Sequence, residues 1–130
     1  MTVLEAWFTA LDNAVTLAGG LHFLQADFAG GDPVYPYAVV HDSGPSSRGY
    51  VTLTRDGGDM RMRVNLFGND RAVTAAKAEE IEQAVRDIRG EYTGFVFDYV
   101  NGVTSRTMAL SRPGYYRWAI DARIAFWRVA

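Results

Sequence analysis

The chain contains no cysteine, two histidines and one lysine among its 130 residues. Without cysteine it forms no disulfide, thiolate nucleophile, or cysteine-ligated zinc or iron-sulfur site. His22 and His41 are too few for a histidine-rich metal centre, and His22 lies in an apolar run typical of a core or boundary histidine. Walker, dinucleotide-binding, nucleophile-elbow and zincin motifs are also missing. These absences leave no recognised catalytic or metal-binding motif, and we expect no cofactor.

The chain also has no large excess of positive or negative charge and no long hydrophobic run. The net charge is -2, which argues against binding nucleic acid through a broad basic surface. No uncharged run is long enough to span a bilayer. The N-terminus lacks the basic start of a signal peptide and carries Glu5 and Asp12. We therefore expect no membrane association, and a protein made in the cytoplasm.

Several polar clusters invite a catalytic or metal-binding interpretation that their spacing does not favour. His41, Asp42 and Ser43 are consecutive, and consecutive residues do not generally arrange themselves as a hydrolytic triad. Asp56 and Asp59 flank two glycines, but the full ligand series of an EF-hand is missing. Turn residues explain both clusters better.

The first half of the chain predicts one helix and a group of strands. Thr2 and Glu5 have capping-box spacing, and apolar residues then recur at helical spacing up to Gly19 and Gly20. Residues 21–37 predict a short helix or a loop. Residues 34–41 are strand-like, but Pro36 favours an edge strand or an extended lead-in. Alternation in residues 50–54 and 60–66, around the turn "RDGGD", predicts an antiparallel hairpin.

The second half predicts an amphipathic helix followed by three strands. Asn69 or Asp70 caps the helix, and Gly90 ends it. The dipeptide Asn101-Gly102 predicts a hairpin between residues 95–100 and 103–110. "SRPG" predicts a second turn before a long one-sided strand over residues 116–126. The predicted apolar stripe of the helix is Val73, Ala76, Lys77, Ile81, Ala84, Val85 and Ile88.

This order predicts a single domain over residues 1–130, because the sequence contains no linker and no internal repeat. We expect an α+β fold with an antiparallel or mixed sheet of five to six strands. The N-terminal helix and the central amphipathic helix are expected to pack on that sheet.

The layout resembles the tail terminator, or tail completion, proteins of long-tailed bacteriophages and of related gene transfer agents. The resemblance rests on the N-terminal helix, the lead-in "VYPYAVV", the strand "RMRVNLFGND", the helix "RAVTAAKAEEIEQAVRDIRG" and the C-terminal strands. It covers most of the chain. It implies a structural virion protein, not an enzyme, whose hexameric ring caps the head-proximal end of the tail tube and ends its polymerisation.

The resemblance also implies partners and a location. The ring contacts the major tail tube protein and a head-completion or connector protein, and genomic DNA passes through it without specific binding. The protein is then part of the virion at the head-tail junction, after assembly in the host cytoplasm.

Candidate contact residues follow from predicted turns and outward aromatic positions, since exposed hairpins and aromatics are adhesive. The candidates for the subunit or tube interface are Arg48, Arg55, Asp56, Asp59, Asn101, Tyr115 and Trp127. An acidic lining disfavours DNA adsorption, and the candidates for such a channel face are Glu79, Glu80, Glu82 and Asp87. An ordinary solvent-facing helix explains those carboxylates equally well.

Three alternatives remain at the level of sequence. A different neck component, such as a head-tail connector, would have a similar sequence pattern. A small α+β ligand-binding domain would line a pocket with Phe95, Phe97, Trp118 and Phe126. A dimeric interaction domain differs from a ring only in its assembly state.

Overall fold

The computed structural model describes residues 3–23, 33–42, 51–53, 57–99, 103–108 and 113–129, which form two helices and eight strands. The elements follow in the order helix, four strands, helix, four strands. Their bounds are α1 Val3–Ala14, β1 Leu21–Phe23, β2 Tyr37–Asp42, β3 Val51–Leu53, β4 Gly57–Gly68, α2 Arg71–Asp87, β5 Gly90–Tyr92, β6 Phe95–Tyr99, β7 Thr104–Met108 and β8 Tyr116–Arg128.

Two long antiparallel strands, β4 and β8, form the centre of the sheet. They pair without interruption from Gly57 opposite Trp127 to Gly68 opposite Tyr116. β2 and β3 follow one another along the free side of β4, while β6 and β7 do the same along β8. Because β1 pairs parallel to β2 and β5 antiparallel to β6, the sheet is mixed, with the order β1-β2-β4-β8-β6-β5. The predicted α+β class and the mixed sheet with two helices packed on it are confirmed, while the described sheet has eight strands where five to six were expected.

The hydrophobic core lies between one face of this sheet and the two helices. The predicted alternation in β4 is confirmed, since Met60, Met62, Val64 and Leu66 are all buried. β8 adds a matching buried row, and α1 adds Trp7 and Leu11 at 0% exposure. The buried residues of β8 on this side are Ile120, Ala122, Ile124 and Phe126. Both helices are thereby held on the same side of the sheet.

The start of α2 explains how this helix is rotated on the sheet. Asp70 is the N-cap, and its carboxylate accepts a hydrogen bond from the Val73 amide at 3.0 Å. Thr74 is buried against Gly68, where a side chain at residue 68 would collide with the threonine. The sheet side of the helix is therefore Thr74, Ala78, Ile81, Val85 and Ile88. The predicted stripe was right for its last part and wrong for Val73, which is 46% exposed, and for exposed Ala76.

Two predictions for residues 21–42 were wrong. Leu21–Phe23 is a strand rather than a short helix or loop, because it pairs along Ala38 to Val40 of β2. β2 is an internal strand, with β1 on one side and β4 on the other. Pro36 does not prevent this, since the ladder begins at the next residue and no hydrogen bond from the proline is required.

The predicted hairpin at Asn101-Gly102 was also wrong. β6 and β7 both run antiparallel to β8, β6 along residues 124–128 and β7 along residues 117–121. β6 and β7 therefore run in the same direction and do not form a hairpin, and the long edge of β8 accommodates both strands. Asn101 and Gly102 themselves lie outside the described residues.

A two-residue hairpin occurs earlier, between β5 and β6, where the sequence prediction had none. Tyr92 pairs with Phe95, which leaves Thr93 and Gly94 as the loop. Both loop residues have positive φ, 49° and 86°, as a type I′ turn requires. The helix ends also differ from prediction, since α1 ends at Ala14 and α2 at Asp87.

Candidate functional site

The second face of the sheet carries the most varied set of polar and aromatic side chains. Alternation in β4 and β8 directs every other side chain away from the helices. We call this surface the open face, because both described helices pack on the opposite side. On the two central strands the open face consists of Asp59, Arg61, Arg63, Asn65, Phe67, Arg117, Ala119, Asp121, Arg123, Ala125 and Trp127.

An ion pair occupies the middle of the open face. Arg63 and Asp121 are direct cross-strand partners, and Arg63 donates to both carboxylate oxygens, Nε to Oδ1 at 2.7 Å and Nη2 to Oδ2 at 3.2 Å. The hydrogen bond to Asp121 raises the pKa of Arg63, against the opposing effect of burial. Arg106 of β7 approaches the same carboxylate at 4.0 Å. The centre is therefore a fixed pair with a second arginine beside it.

One end of the open face is an aromatic cluster next to a polar network. The rings of Tyr37 and Phe67 are stacked with centroids 5.0 Å apart, and Tyr35 bridges Tyr37 and Tyr115 at 5.6 and 5.5 Å. Burial, with a smaller contribution from Tyr35, raises the pKa of Tyr37. Arg117 lies 5.7 Å from the centre of the Phe67 ring.

Arg117 also connects this cluster to Asn65. It donates to Asn65 Oδ1 from Nη2 at 2.9 Å and from Nε at 3.3 Å. Asn65 Nδ2 lies 2.7 Å from His41 Nε2, which accepts because an amide nitrogen only donates. These polar groups satisfy one another, so they hold β2, β4 and β8 together and do not converge on a vacant centre.

At the other end of the open face, fewer of the described charged side chains have a hydrogen-bond or ion-pair partner. Arg61 and Arg123 are direct cross-strand partners of like charge, an arrangement that costs stability unless other groups compensate. Arg123 donates to Asp59 at 3.0 Å. Arg61 is exposed and makes no hydrogen bond or ion pair in the described part of the chain. Trp127, at the same end, is 46% exposed.

On the opposite side of the molecule, the outer surface of α2 is acidic along residues 79–87. Ala76, Glu79, Glu80, Glu82, Gln83 and Arg86 line a shallow open groove of about 510 Å³. Three residues of the groove, Glu80, Glu82 and Arg86, have partners. Glu82 accepts a hydrogen bond from Ser105 at 2.9 Å and forms an ion pair with Arg86 at 2.7 Å. Glu80 forms an ion pair with Lys77. Glu79 is exposed and makes no hydrogen bond or ion pair within the described residues.

The structure separates the predicted site residues into distinct places. Asp59 and Trp127 lie at one end of the open face, and Tyr115 lies at the other end, beside Tyr35. The four acidic candidates, Glu79, Glu80, Glu82 and Asp87, all lie on α2, behind the sheet. Asp87 accepts from Gln83 at 2.9 Å. The candidates Arg48, Arg55, Asp56 and Asn101 lie outside the described residues.

Sequence reasoning did not identify the Arg63–Asp121 pair or the Arg117–Asn65–His41 network. The available signal was the alternation itself, which placed Arg61 and Arg63 on one side of β4 and Arg117 and Asp121 on the matching side of β8. Deciding which of them meet requires the register of two strands separated by more than forty residues, which alternation does not contain.

No known protein family matches this chain, and no curated protein sequence does. Within the described ranges, no group of three His, Asp or Glu side chains is placed to hold a metal ion. No helix in that part of the chain is long and apolar enough to cross a membrane.

Proposed function

We propose that this protein is a structural subunit of a phage tail terminator, forming a hexameric ring on the head-proximal end of the tail tube. The resemblance in element order supports this proposal, and so does the two-layer α+β fold. The observation that carries it is the presence of two unlike surfaces on opposite sides of one subunit. A ring closes through heterologous contacts, in which one surface meets a different surface of the neighbouring subunit.

The charges of the two surfaces are opposite. On β4, β7 and β8 the open face holds the five arginines 61, 63, 106, 117 and 123 against the two aspartates 59 and 121. The edge strands β5 and β6 add Glu91 and Asp98 to that side, which leaves a small positive excess. α2 as a whole holds the four acids 79, 80, 82 and 87 against the three cations 71, 77 and 86, which gives it a small negative excess, and all four acids lie within residues 79–87. Complementary potentials of this kind fix the register and orientation of an association.

In this proposal the ring ends polymerisation of the major tail tube protein and presents a surface to a head-completion or connector protein. Genomic DNA passes through the channel without specific binding, and the site of action is the virion. The protein is not an enzyme in this account, since most of the described polar groups on the open face, Arg61 excepted, pair with one another. The described geometry gives no reason to prefer another neck component.

The aromatic-pocket alternative has less support. Phe95, Phe97 and Phe126 are at most 5% exposed and belong to the hydrophobic core, and Trp118 packs against that core. Their rings fill the space between sheet and helices that a pocket would need. We therefore retain only the ring subunit as the proposed function.

Negative-stain imaging of the purified protein tests the proposal. Closed rings with six-fold symmetry and a central channel are expected. Uniform particles of a two-fold dimer would contradict it, because a two-fold interface uses the same surface on both copies. Variants in the open face locate the interface. If a folded variant no longer forms rings, the assembly depends on that surface.

A further inference from the structure

We propose that the exposed side of α2 of one copy docks on the Arg61–Trp127 end of the open face of the next copy. This inference rests on the proposed function and names the contact that builds the ring. It assigns Glu79 and Glu80 to the contact between subunits, in place of the channel wall considered from the sequence.

The first argument is that each surface presents a charged side chain without a partner in the described part of the chain, and that these two charges are of opposite sign. Arg61 and Glu79 are both exposed, and neither makes a hydrogen bond or ion pair within the described residues. Arg61 also faces Arg123 across the β4–β8 ladder. An incoming carboxylate at this point relieves repulsion between like charges and gains a charge-assisted hydrogen bond.

The second argument is that each surface presents an exposed apolar side chain near that charge. Trp127 is 46% exposed on the open face, and Val73 is 46% exposed on α2. On the helix, Val73, Ala76 and Glu80 recur at spacings of three and four and so share one side. Burying the exposed valine against the Trp127 ring removes apolar surface from water, which the water-filled wall of a DNA channel would not do.

The spacing of these groups is compatible. Val73 and Glu79 are separated by six residues, about 9 Å along the helix axis and about 120° around it, with Ala76 between them on the surface. Trp127 and Arg123 are separated by four residues, about 13 Å along the strand, with Arg61 opposite Arg123. The long side chains of Arg61 and Glu79 cover the difference. Trp127 of one copy then lies against Val73 and Ala76 of the next, and Arg61 lies against Glu79 and Glu80.

The third argument is direction. The two surfaces belong to different layers of the subunit, α2 on one side of the sheet and the open face on the other. One copy therefore offers its helix to a neighbour while its sheet receives the helix of another. This contact is head-to-tail and continues from copy to copy until the ring closes.

Disulfide trapping tests the contact, because the natural chain has no cysteine to give background. We would replace Ala76, exposed on α2, and Ala125, which lies between Arg123 and Trp127 on the open face. The double variant Ala76→Cys/Ala125→Cys is expected to give a ladder of covalent oligomers on mild oxidation. Each single variant, and the control pair Asp12→Cys/Ala125→Cys, is expected to remain monomeric on a denaturing gel.

Charge reversal in the trapping background tests the proposed pairing. Arg61→Glu is expected to lower the cross-linked fraction at least about tenfold, since like charges across a contact cost more than 1.4 kcal/mol. Adding Glu79→Arg and Glu80→Arg to the same chain is expected to restore the ladder. A ladder that survives Arg61→Glu would overturn the assignment of this residue to the contact.

Other outcomes separate the contact from the proposed function. Efficient dimers of the single Ala125→Cys variant would show open faces meeting each other and would overturn the inference, as would monomers in every variant. Six-membered rings of the natural protein without a ladder would overturn the contact alone. A ladder with a closed assembly of another number would support the contact and overturn the hexameric terminator.

Discussion

The close approach of Gly68 to α2 gives a prediction whose size follows from the structure. A Cβ atom added at residue 68 would collide with Thr74 Oγ1 and lie 2.9 Å from Thr74 Cβ and 3.0 Å from Thr74 Cγ2. These distances are too short for carbon contacts, so the first turn of α2 must move. Overpacking of this kind costs about 1–3 kcal/mol, and we expect Gly68→Ala to fall in that range.

Removing the threonine side chain should return part of this loss. Thr74→Ala alone breaks the 2.6 Å hydrogen bond from Thr74 Oγ1 to the Asp70 carbonyl, at a cost of about 1 kcal/mol. In the double variant the worst collision disappears, and the two Cβ atoms at 2.9 Å remain. We therefore expect the double variant to be more stable than the sum of the single effects by about 1 kcal/mol.

Urea unfolding of the four proteins, followed by tryptophan fluorescence and circular dichroism, measures the coupling. Gly94→Ala is the matched control, because its added Cβ meets nothing within 4 Å and its φ of 86° alone makes the substitution costly. Its effect should add to that of Thr74→Ala within about 0.5 kcal/mol. If the effects of Gly68→Ala and Thr74→Ala on the free energy of unfolding simply add, the proposed close packing of α2 against Gly68 is refuted.

Three further predictions concern single groups. Asp70→Ala removes the N-cap of α2 and should lower the free energy of unfolding by about 1 kcal/mol, with Asp70→Asn close to the natural protein; urea unfolding compares them. Asp121→Asn should cost about 1–2 kcal/mol, because Arg63 loses a partly buried, doubly hydrogen-bonded carboxylate; Arg63→Gln should then add little in the same assay. Burial raises the pKa of Tyr37 above its ordinary value of 10.0. The contribution of the neutral Tyr37 side chain to the free energy of unfolding is therefore complete below about pH 10 and declines above it, because the same tyrosine ionises first in the unfolded chain. Tyr37→Phe should weaken that decline in unfolding measured across alkaline pH, and an unchanged slope would contradict this.

Much of the architecture was predictable because long elements repeat their pattern many times. The alternation from Met60 to Leu66 and the helical spacing around Trp7 and Leu11 each predicted which side chains are buried. Asp70 was predictable as an N-cap, since a short polar side chain before a helix satisfies free amides. These signals are local, and each is contained in a few neighbouring residues.

The errors occurred where a partner distant in sequence decides the structure. Leu21–Phe23 is too short to show alternation, and it is a strand because β2 lies beside it. Asn101-Gly102 has strong turn chemistry, but the edge of β8 is long enough for both β6 and β7. Val73 is exposed because Gly68 admits Thr74 to the sheet side of α2.

The same limit applies to the candidate site. The sequence supplied the acids of α2, whereas Asp59, which it assigned to a turn, lies in β4 and accepts a hydrogen bond from Arg123. The pairing of Arg63 with Asp121, and the solitary position of Arg61, depend on strand register and appear only in three dimensions. Two surfaces of opposite charge on opposite layers are a property of the fold, which no stretch of sequence contains.

Light scattering of the purified protein at the outlet of a size-exclusion column tests the central claim most directly. A closed hexamer has six times the 14.4 kDa of one chain, about 86 kDa, and the account predicts a single species of this mass. Arg61→Glu should shift that species toward the monomer. A stable dimer of about 29 kDa, twice 14.4 kDa, would contradict the ring and with it the proposed terminator function.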